Sequence, residues 1–181
     1  LLIAIAMFNT QAWSAGLYYL VHSTLIAAAF YLFCGWITAQ RGMFKDHLKV
    51  APKIKNEKAA ALTYFLIAMM MAGLPPFSGF LGKVFILQAT AETAYQGWII
   101  AIILIVSLLS ILALTRVGFI LFWRASPPEI DPNEAAYQTY QGLPAYAPNR
   151  NDTAIYIILA GLMAYVVFAS PIQTYTVLTA Q

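Results

Sequence analysis

Long apolar runs alternate with short polar stretches along this chain, and each run is about as long as a membrane span. Apolar residues dominate residues 13–38, 59–91, 97–123 and 153–172. A helix needs about 20 apolar residues to cross a bilayer, so each run predicts a transmembrane helix, and we expect Pro171 to end the last of them. We interpret the apolar start, 1–8, as the tail of an upstream helix, because no basic region precedes it as in a signal peptide. The pattern predicts an all-α integral membrane protein.

The segment 59–91 is interrupted in its middle by the stretch AGLPPFSGFLGK. Its two apolar halves are each short for a separate crossing of a bilayer core about 30 Å thick. We therefore predict one discontinuous transmembrane helix with an unwound break at 73–79. Prolines remove backbone donors and glycines relax the backbone. The residues expected to form the break are Gly73, Pro75, Pro76, Gly79 and Gly82.

The polar connections predict how the helices are oriented in the membrane. The loop 39–58 carries six basic and two acidic residues. Short basic loops stay in the cytoplasm, so this loop predicts a cytoplasmic side. The proline-rich linker 124–152 would then also be cytoplasmic, and 173–181 would be an external tail. Contact with anionic lipid headgroups is an alternative role for the basic loop.

Composition excludes a soluble domain. Only 9% of the residues are charged and 61% are hydrophobic, whereas soluble domains carry about 25% charged residues. The single cysteine, Cys34, excludes an intramolecular disulfide and a cysteine metal cluster, and the two histidines show no metal-ligand spacing. We expect no metal, no cofactor and no nucleic-acid partner.

Lys83 is the main candidate for chemistry, because it directly follows the predicted break. A lysine at the bilayer centre costs about 2.5–3.5 kcal/mol on insertion scales. Irregular backbone at that depth persists only where it is buried in protein or lines a wet cavity, and such breaks mark transport sites. A lysine held there could exchange a proton. The alternative is a lysine that reaches an interface from a loop between two ordinary spans.

His22 is the second candidate, since histidine changes charge near physiological pH. Tyr18 stands one turn before it, and Ser23 and Thr24 follow it directly. With Ser78 at the break, these hydroxyls could hold water or extend a proton relay. The alternative is a neutral histidine that hydrogen-bonds between helices.

Two serines, Ser107 and Ser110, lie three residues apart in the 97–123 segment. Small polar residues at this spacing are typical of helix–helix interfaces in membranes. We therefore expect both to serve packing rather than transport.

Three stretches together carry a resemblance to a known family. They are LYYLVHSTLIAAAFYLFCG, AGLPPFSGFLGKVFILQA and VSLLSILALTRVGFILFW, in that order. This sequence resembles the antiporter-like subunits. These comprise the ion-translocating subunits of Mrp-type multisubunit Na+/H+ antiporters and the proton-pumping membrane-arm subunits of respiratory complex I. The HST after LYYLV, together with GLPPFSGFLGK, is most similar to the D-type branch of the Mrp-type subunits.

The resemblance implies a larger protein built from two inverted repeats, each with a broken helix, of which this chain would be the last part. It places the family's key lysine on Lys83 and its histidine on His22. Several members carry a lysine one turn after that histidine, where this sequence has Ile26. Water, or the Ser23 and Thr24 hydroxyls, would then have to bridge the relay.

The function implied is a proton-translocating subunit of a multisubunit monovalent cation (Na+)/H+ antiporter in the bacterial plasma membrane. Its partners would be the other antiporter subunits and the lipid bilayer, and it would be a transporter subunit rather than an enzyme. A protonated amine is not a sodium ligand, so this part is assigned to the proton. The alternatives are a pumping subunit of NADH:quinone oxidoreductase and an ion-inert packing scaffold.

Overall fold

The computed structural model describes residues 1–41, 48, 54, 57–91, 93–123 and 150–180, and all the regular secondary structure in these residues is helical. The helices are α1 (Leu2–Ala6), α2 (Thr10–Gln40), α3 (Glu57–Ala72), α4 (Ser78–Ala89), α5 (Gln96–Gly118), α6 (Arg150–Val167) and α7 (Ala169–Thr179). A π-helical turn, Phe119–Trp123, extends α5. The predicted loop 39–58 and linker 124–152 lie largely outside the described residues.

Helix length and composition confirm the predicted all-α membrane class. Within the described residues, α2 and the continuous helix Gln96–Trp123 are each long and apolar enough to cross a bilayer. A third crossing follows if α6 and α7 are counted as one bent span. These elements correspond to the predicted spans 13–38, 97–123 and 153–172.

The last segment differs from its predicted course. We expected a span over 153–172 and a tail over 173–181, with Pro171 ending the span. In the structure α6 ends at Val167, the chain bends by 81°, and α7 continues to Thr179. Pro171 lies in the first turn of α7, where a missing backbone N–H costs no helical hydrogen bond. A buried hydrogen bond of 2.8 Å between the Ser14 and Thr176 hydroxyls fixes α7 to α2.

Two helices, α3 and α4, are separated at the predicted position, and the break between them is shorter than expected. It covers residues 73–77, so Gly79 and Gly82 lie inside α4. Gly73 adopts a φ of +70°, a conformation that glycine accepts without strain. Its N–H donates to the Met70 carbonyl at 3.1 Å, and this bond closes the end of α3.

Helix α2 lies at the centre of the fold and packs against α4, α6, α7 and α3. The main apolar core joins α2, α3 and α6 through Phe33, Ile67, Met70 and Leu162. Helix α5 packs on α3 but buries none of its own residues, and its outer face is apolar. The break between α3 and α4 therefore lies between the central helix α2 and the peripheral helix α5.

Candidate functional site

Lys83 projects from the second turn of α4 back onto the end of α3. Its Nζ donates a hydrogen bond of 2.6 Å to the carbonyl oxygen of Ala72. Ala72 is the last residue of α3, and the final carbonyls of a helix have no partner within that helix. A cation is favoured there, because the carboxyl end of a helix carries partial negative charge. The break thus supplies an acceptor for the lysine.

Ser107 provides the second acceptor for Lys83. The lysine Nζ donates to the Ser107 Oγ at 2.8 Å, and that hydroxyl itself donates to the Ile103 carbonyl at 2.7 Å. The sequence had suggested only a packing role for this serine. The contact joins α4 to α5 across 24 positions of sequence, and no local pattern reveals such a pairing.

His22 contacts the other side of the break. Its Nδ1 lies 2.8 Å from the hydroxyl of Ser78, the first residue of α4. Both side chains are almost fully buried, with 2% and 1% of their surface exposed. A Cβ at Gly79 would lie 2.6 Å from His22 Nε2 and 2.8 Å from the Met70 carbonyl oxygen. Only glycine allows the backbone of α4 to approach both groups this closely.

The lysine and the histidine lie on two sides of one glycine–glycine contact. A Cβ at Gly73 would be 3.3 Å from the carbonyl carbon of Gly79 and 2.7 Å from Lys83 Nζ. Lys83 and His22 are close enough to interact electrostatically. The structure therefore brings together Lys83, His22, Ser78 and the two glycines.

A cavity of about 180 Å³ opens beside the lysine amine. It lies among helices α1 to α5 and is large enough for several water molecules. Its polar lining comes from Lys83, Tyr19, Ser107 and Ser110, and the rest is apolar. A larger cavity of about 480 Å³ between α3 and α5 is lined by neither Lys83 nor His22.

The sequence predicted three further hydroxyl groups near the proton relay, but in the structure these hydroxyls are directed elsewhere. The Tyr18 hydroxyl donates to the carbonyl of Tyr165, and the Tyr165 hydroxyl donates back to the carbonyl of Tyr18 at 3.1 Å. Ser23 and Thr24 both donate to the carbonyl of Leu20, at 3.0 and 2.8 Å. The structure does not bring these three side chains to the His22–Lys83 site. In the described part of the chain, no group of histidine, cysteine or carboxylate side chains is arranged to hold a metal ion.

Comparisons with known proteins agree with this architecture. A family model described as "NADH:quinone oxidoreductase/Mrp antiporter, TM" matches residues 1–112. The chain is 31% identical over 144 residues to the D-type subunit of the Na+/H+ antiporter of Bacillus subtilis, covering 79% of the chain and 28% of that relative. It is 29% identical over 123 residues to the D-type subunit of the Na+/H+ antiporter of Alkalihalophilus pseudofirmus, covering 68% of the chain and 24% of the relative.

A third relative differs in the cation that its name gives. This Rhizobium meliloti protein, named as the D-type subunit of a probable K+/H+ antiporter, is 28% identical over 151 residues, with 68% of the chain and 28% of the relative covered. The matched part of the chain thus spans about a quarter of the length of these relatives, 24–28%. The match of the family model to more than half of the chain shows that the chain belongs to the NADH:quinone oxidoreductase/Mrp antiporter transmembrane family.

Proposed function

We propose that this chain is part of a proton-translocating subunit of a multisubunit monovalent cation/H+ antiporter in a bacterial plasma membrane. In this proposal Lys83 takes up and releases the transported proton, and His22 relays it. The observation that carries the proposal is the position of the lysine amine at the helix break. The amine hydrogen-bonds to Ala72 and Ser107 beside a cavity that is large enough for several water molecules. Named relatives that are antiporter subunits support the partner class.

The proposed proton step needs only the groups around the break. A lysine ammonium has three donors, and two of them are directed at Ala72 and Ser107. The third is left for water in the cavity, so water can accept the proton from Nζ and return it. On the other side, His22 contacts the Ser78 hydroxyl through Nδ1 and also hydrogen-bonds to the backbone of Met70. An imidazole can therefore accept a proton at one nitrogen and release it from the other.

The proposal assigns no binding site for the exchanged cation to this chain. Relatives are named for Na+ and for K+, and a protonated amine coordinates neither ion. We therefore propose that the cation crosses elsewhere in the complex. The description of the family also includes NADH:quinone oxidoreductase, so an NADH-driven pump is the competing outcome of the experiment below.

The experiment replaces Lys83 in the full-length subunit, assembled with its partner subunits. Everted vesicles are given a pH gradient, a sodium or potassium salt is added, and a pH-sensitive dye reports proton movement. Lys83→Met keeps the apolar stem and should abolish the response. Lys83→Arg should also fail, since a guanidinium stays charged and cannot release a proton. Lys83→Glu should retain part of the activity, because a buried carboxyl can exchange protons near neutrality.

Lys58→Met is the matched control, because Lys58 is an exposed lysine in the first turn of α3, at the far end from the break. It should transport like the unmodified protein, with equal amounts of assembled complex. Full transport by Lys83→Met would overturn the proton-site proposal. A gradient that responds to NADH and quinone but to neither salt would overturn the antiporter proposal.

A further inference from the structure

We infer that Ser107 is a positioning residue for the proton site. Its hydroxyl can hydrogen-bond to the Lys83 amine whether the amine is charged or neutral. This inference rests on the proposed function and adds a residue that the family resemblance did not supply. The contact is specific: Nζ to Oγ is 2.8 Å, and Oγ to the Ile103 carbonyl is 2.7 Å.

The charged state of Lys83 matches the observed hydrogen bonds. A lysine ammonium donates three hydrogen bonds and accepts none. Ala72 and Ser107 accept two of them, and the serine can accept because its own hydrogen is directed at Ile103. A backbone carbonyl alone would serve this state equally well.

The neutral state needs a donor, and Ser107 is positioned to provide it. When Nζ gives its proton to cavity water, the amine keeps two hydrogens and gains a lone pair. The Ala72 carbonyl cannot donate to that lone pair, but the Ser107 hydroxyl can, by turning its hydrogen away from Ile103. No covalent bond to Ser107 breaks. The Ile103 carbonyl keeps its helical bond from the Ser107 backbone N–H, so it is not left without a partner.

Among the described residues, hydrogen bonds rather than an ion pair hold the Lys83 amine. Among the side chains that the structure describes, Glu57 is the one carboxylate, and it begins α3, about 22 Å along the helix from Ala72. The titratable groups near the amine are His22 and Tyr19 from α2. In the described residues, α3 and α5 direct no titratable side chain at Lys83.

Ser110 offers a matched control on the same helix. It lines the same cavity, and its hydroxyl donates to the Val106 carbonyl at 2.8 Å, one turn back, just as Ser107 donates to Ile103. It differs in having no hydrogen bond to Lys83. A comparison of the two serines therefore separates contact with the amine from general loss of a cavity hydroxyl.

The experiment measures salt-driven proton transport over a pH series in everted vesicles that contain the assembled, full-length complex. Ser107→Ala removes an acceptor from the ammonium and a donor from the neutral amine, and the first loss is the larger because hydrogen bonds to charged groups are stronger. The protonated amine therefore loses more stability and needs more acid to form. We expect the half-maximal pH to move down by about one unit, with a lower maximal rate. Ser107→Thr keeps a hydroxyl that can bond one turn back and should restore the profile. Ser110→Ala removes a cavity hydroxyl that does not contact the amine and should leave the half-maximal pH unchanged.

A second pair of variants tests whether a change in side-chain shape, rather than loss of the hydroxyl, moves the pH profile. Ser107→Val and Ser107→Thr have the same outline and differ in the hydroxyl, so only the valine variant should shift the pH profile. Superimposed profiles for these two variants, or for Ser107→Ala and Ser110→Ala, would overturn the inference. If those profiles superimpose while Lys83→Met abolishes transport, the inference alone fails. If Lys83→Met transports normally, the proposed function itself fails.

Discussion

Gly79→Ala adds one methyl group at the closest approach between the broken helix and His22. The new Cβ would lie 2.6 Å from His22 Nε2 and 2.8 Å from the Met70 carbonyl oxygen. Ordinary contact begins at 3.4 Å. Because Met70 contributes backbone, it cannot turn aside, and α4 must retreat from α3 by about 0.6 Å. The same retreat draws Ser78 away from His22, whose hydrogen bond to it is 2.8 Å long.

Two opposing contributions set the size of the effect. Alanine in a helix interior is favoured over glycine by about 0.5–1 kcal/mol. Overpacking of a tight interior costs about 1–3 kcal/mol. We therefore expect Gly79→Ala to lower stability by up to about 2 kcal/mol. Gly35→Ala is the control, because nothing lies within 4 Å of a Cβ at that position in α2. It should leave stability equal or slightly higher.

The assay heats the purified, full-length complex and measures the fraction that stays assembled, with salt-driven proton transport measured in parallel before heating. Gly79→Ala should lose assembly at a lower temperature than the unmodified protein and should transport more slowly, whereas Gly35→Ala should do neither. Equal heat resistance and equal transport for the two alanine variants would refute the close approach of α4 to His22 and Met70.

Two further predictions concern the relay and the topology. His22→Gln can still hydrogen-bond to Ser78 but cannot carry a proton. It should therefore slow dye-detected transport as strongly as His22→Ala does, while the complex assembles normally. Normal transport by His22→Gln would instead indicate that the histidine is structural. In a Cys34→Ser background, a cysteine at Asn56, which lies outside the described residues, should be shielded from impermeant thiol reagents in intact cells, whereas one at Gln181 should react. Labelling in the reverse pattern would invert the predicted orientation.

The break between α3 and α4 could be predicted from sequence because its causes are local. Apolar runs of spanning length predict helices whatever their neighbours. Pro75 and Pro76 interrupt a helix through their own covalent structure. The extent of the break was less predictable, because Gly79 and Gly82 are compatible with both a loop and a helix. Their role became clear only from close contacts with His22 and Tyr19 on α2.

The bend before α7 shows how one local signal can support two structures. Pro171 was taken to end a span, although proline is equally suited to the first turn of a new helix. The structure has the second arrangement, with the bend at Phe168. The buried Ser14–Thr176 bond that holds α7 joins residues 162 positions apart, so the sequence pattern could not decide between them.

The site was predictable only in part, for a geometrical reason. Lys83 is a charge in an apolar segment and needs no partner to be noticed. Ser23 and Thr24 are adjacent to His22 in sequence, but neighbouring positions on a helix face different directions. They bond to Leu20 instead. Helical geometry alone could have separated these two from His22, whereas Ser107 required knowledge of how α5 packs.

The arrangement explains why a helix break, rather than a continuous helix, accompanies the lysine. A continuous helix would commit the Ala72 carbonyl to an N–H four residues later. The break leaves that carbonyl to Lys83, while Ser78 begins a new helix against His22. The two acceptors of the amine come from different helices, α3 and α5, so the site exists only while these helices stay in register. A relative shift of about 1 Å would lengthen the Ser107 contact beyond hydrogen-bond range. The environment of the lysine is therefore coupled to the packing of α5, the helix with the least buried surface in the described fold.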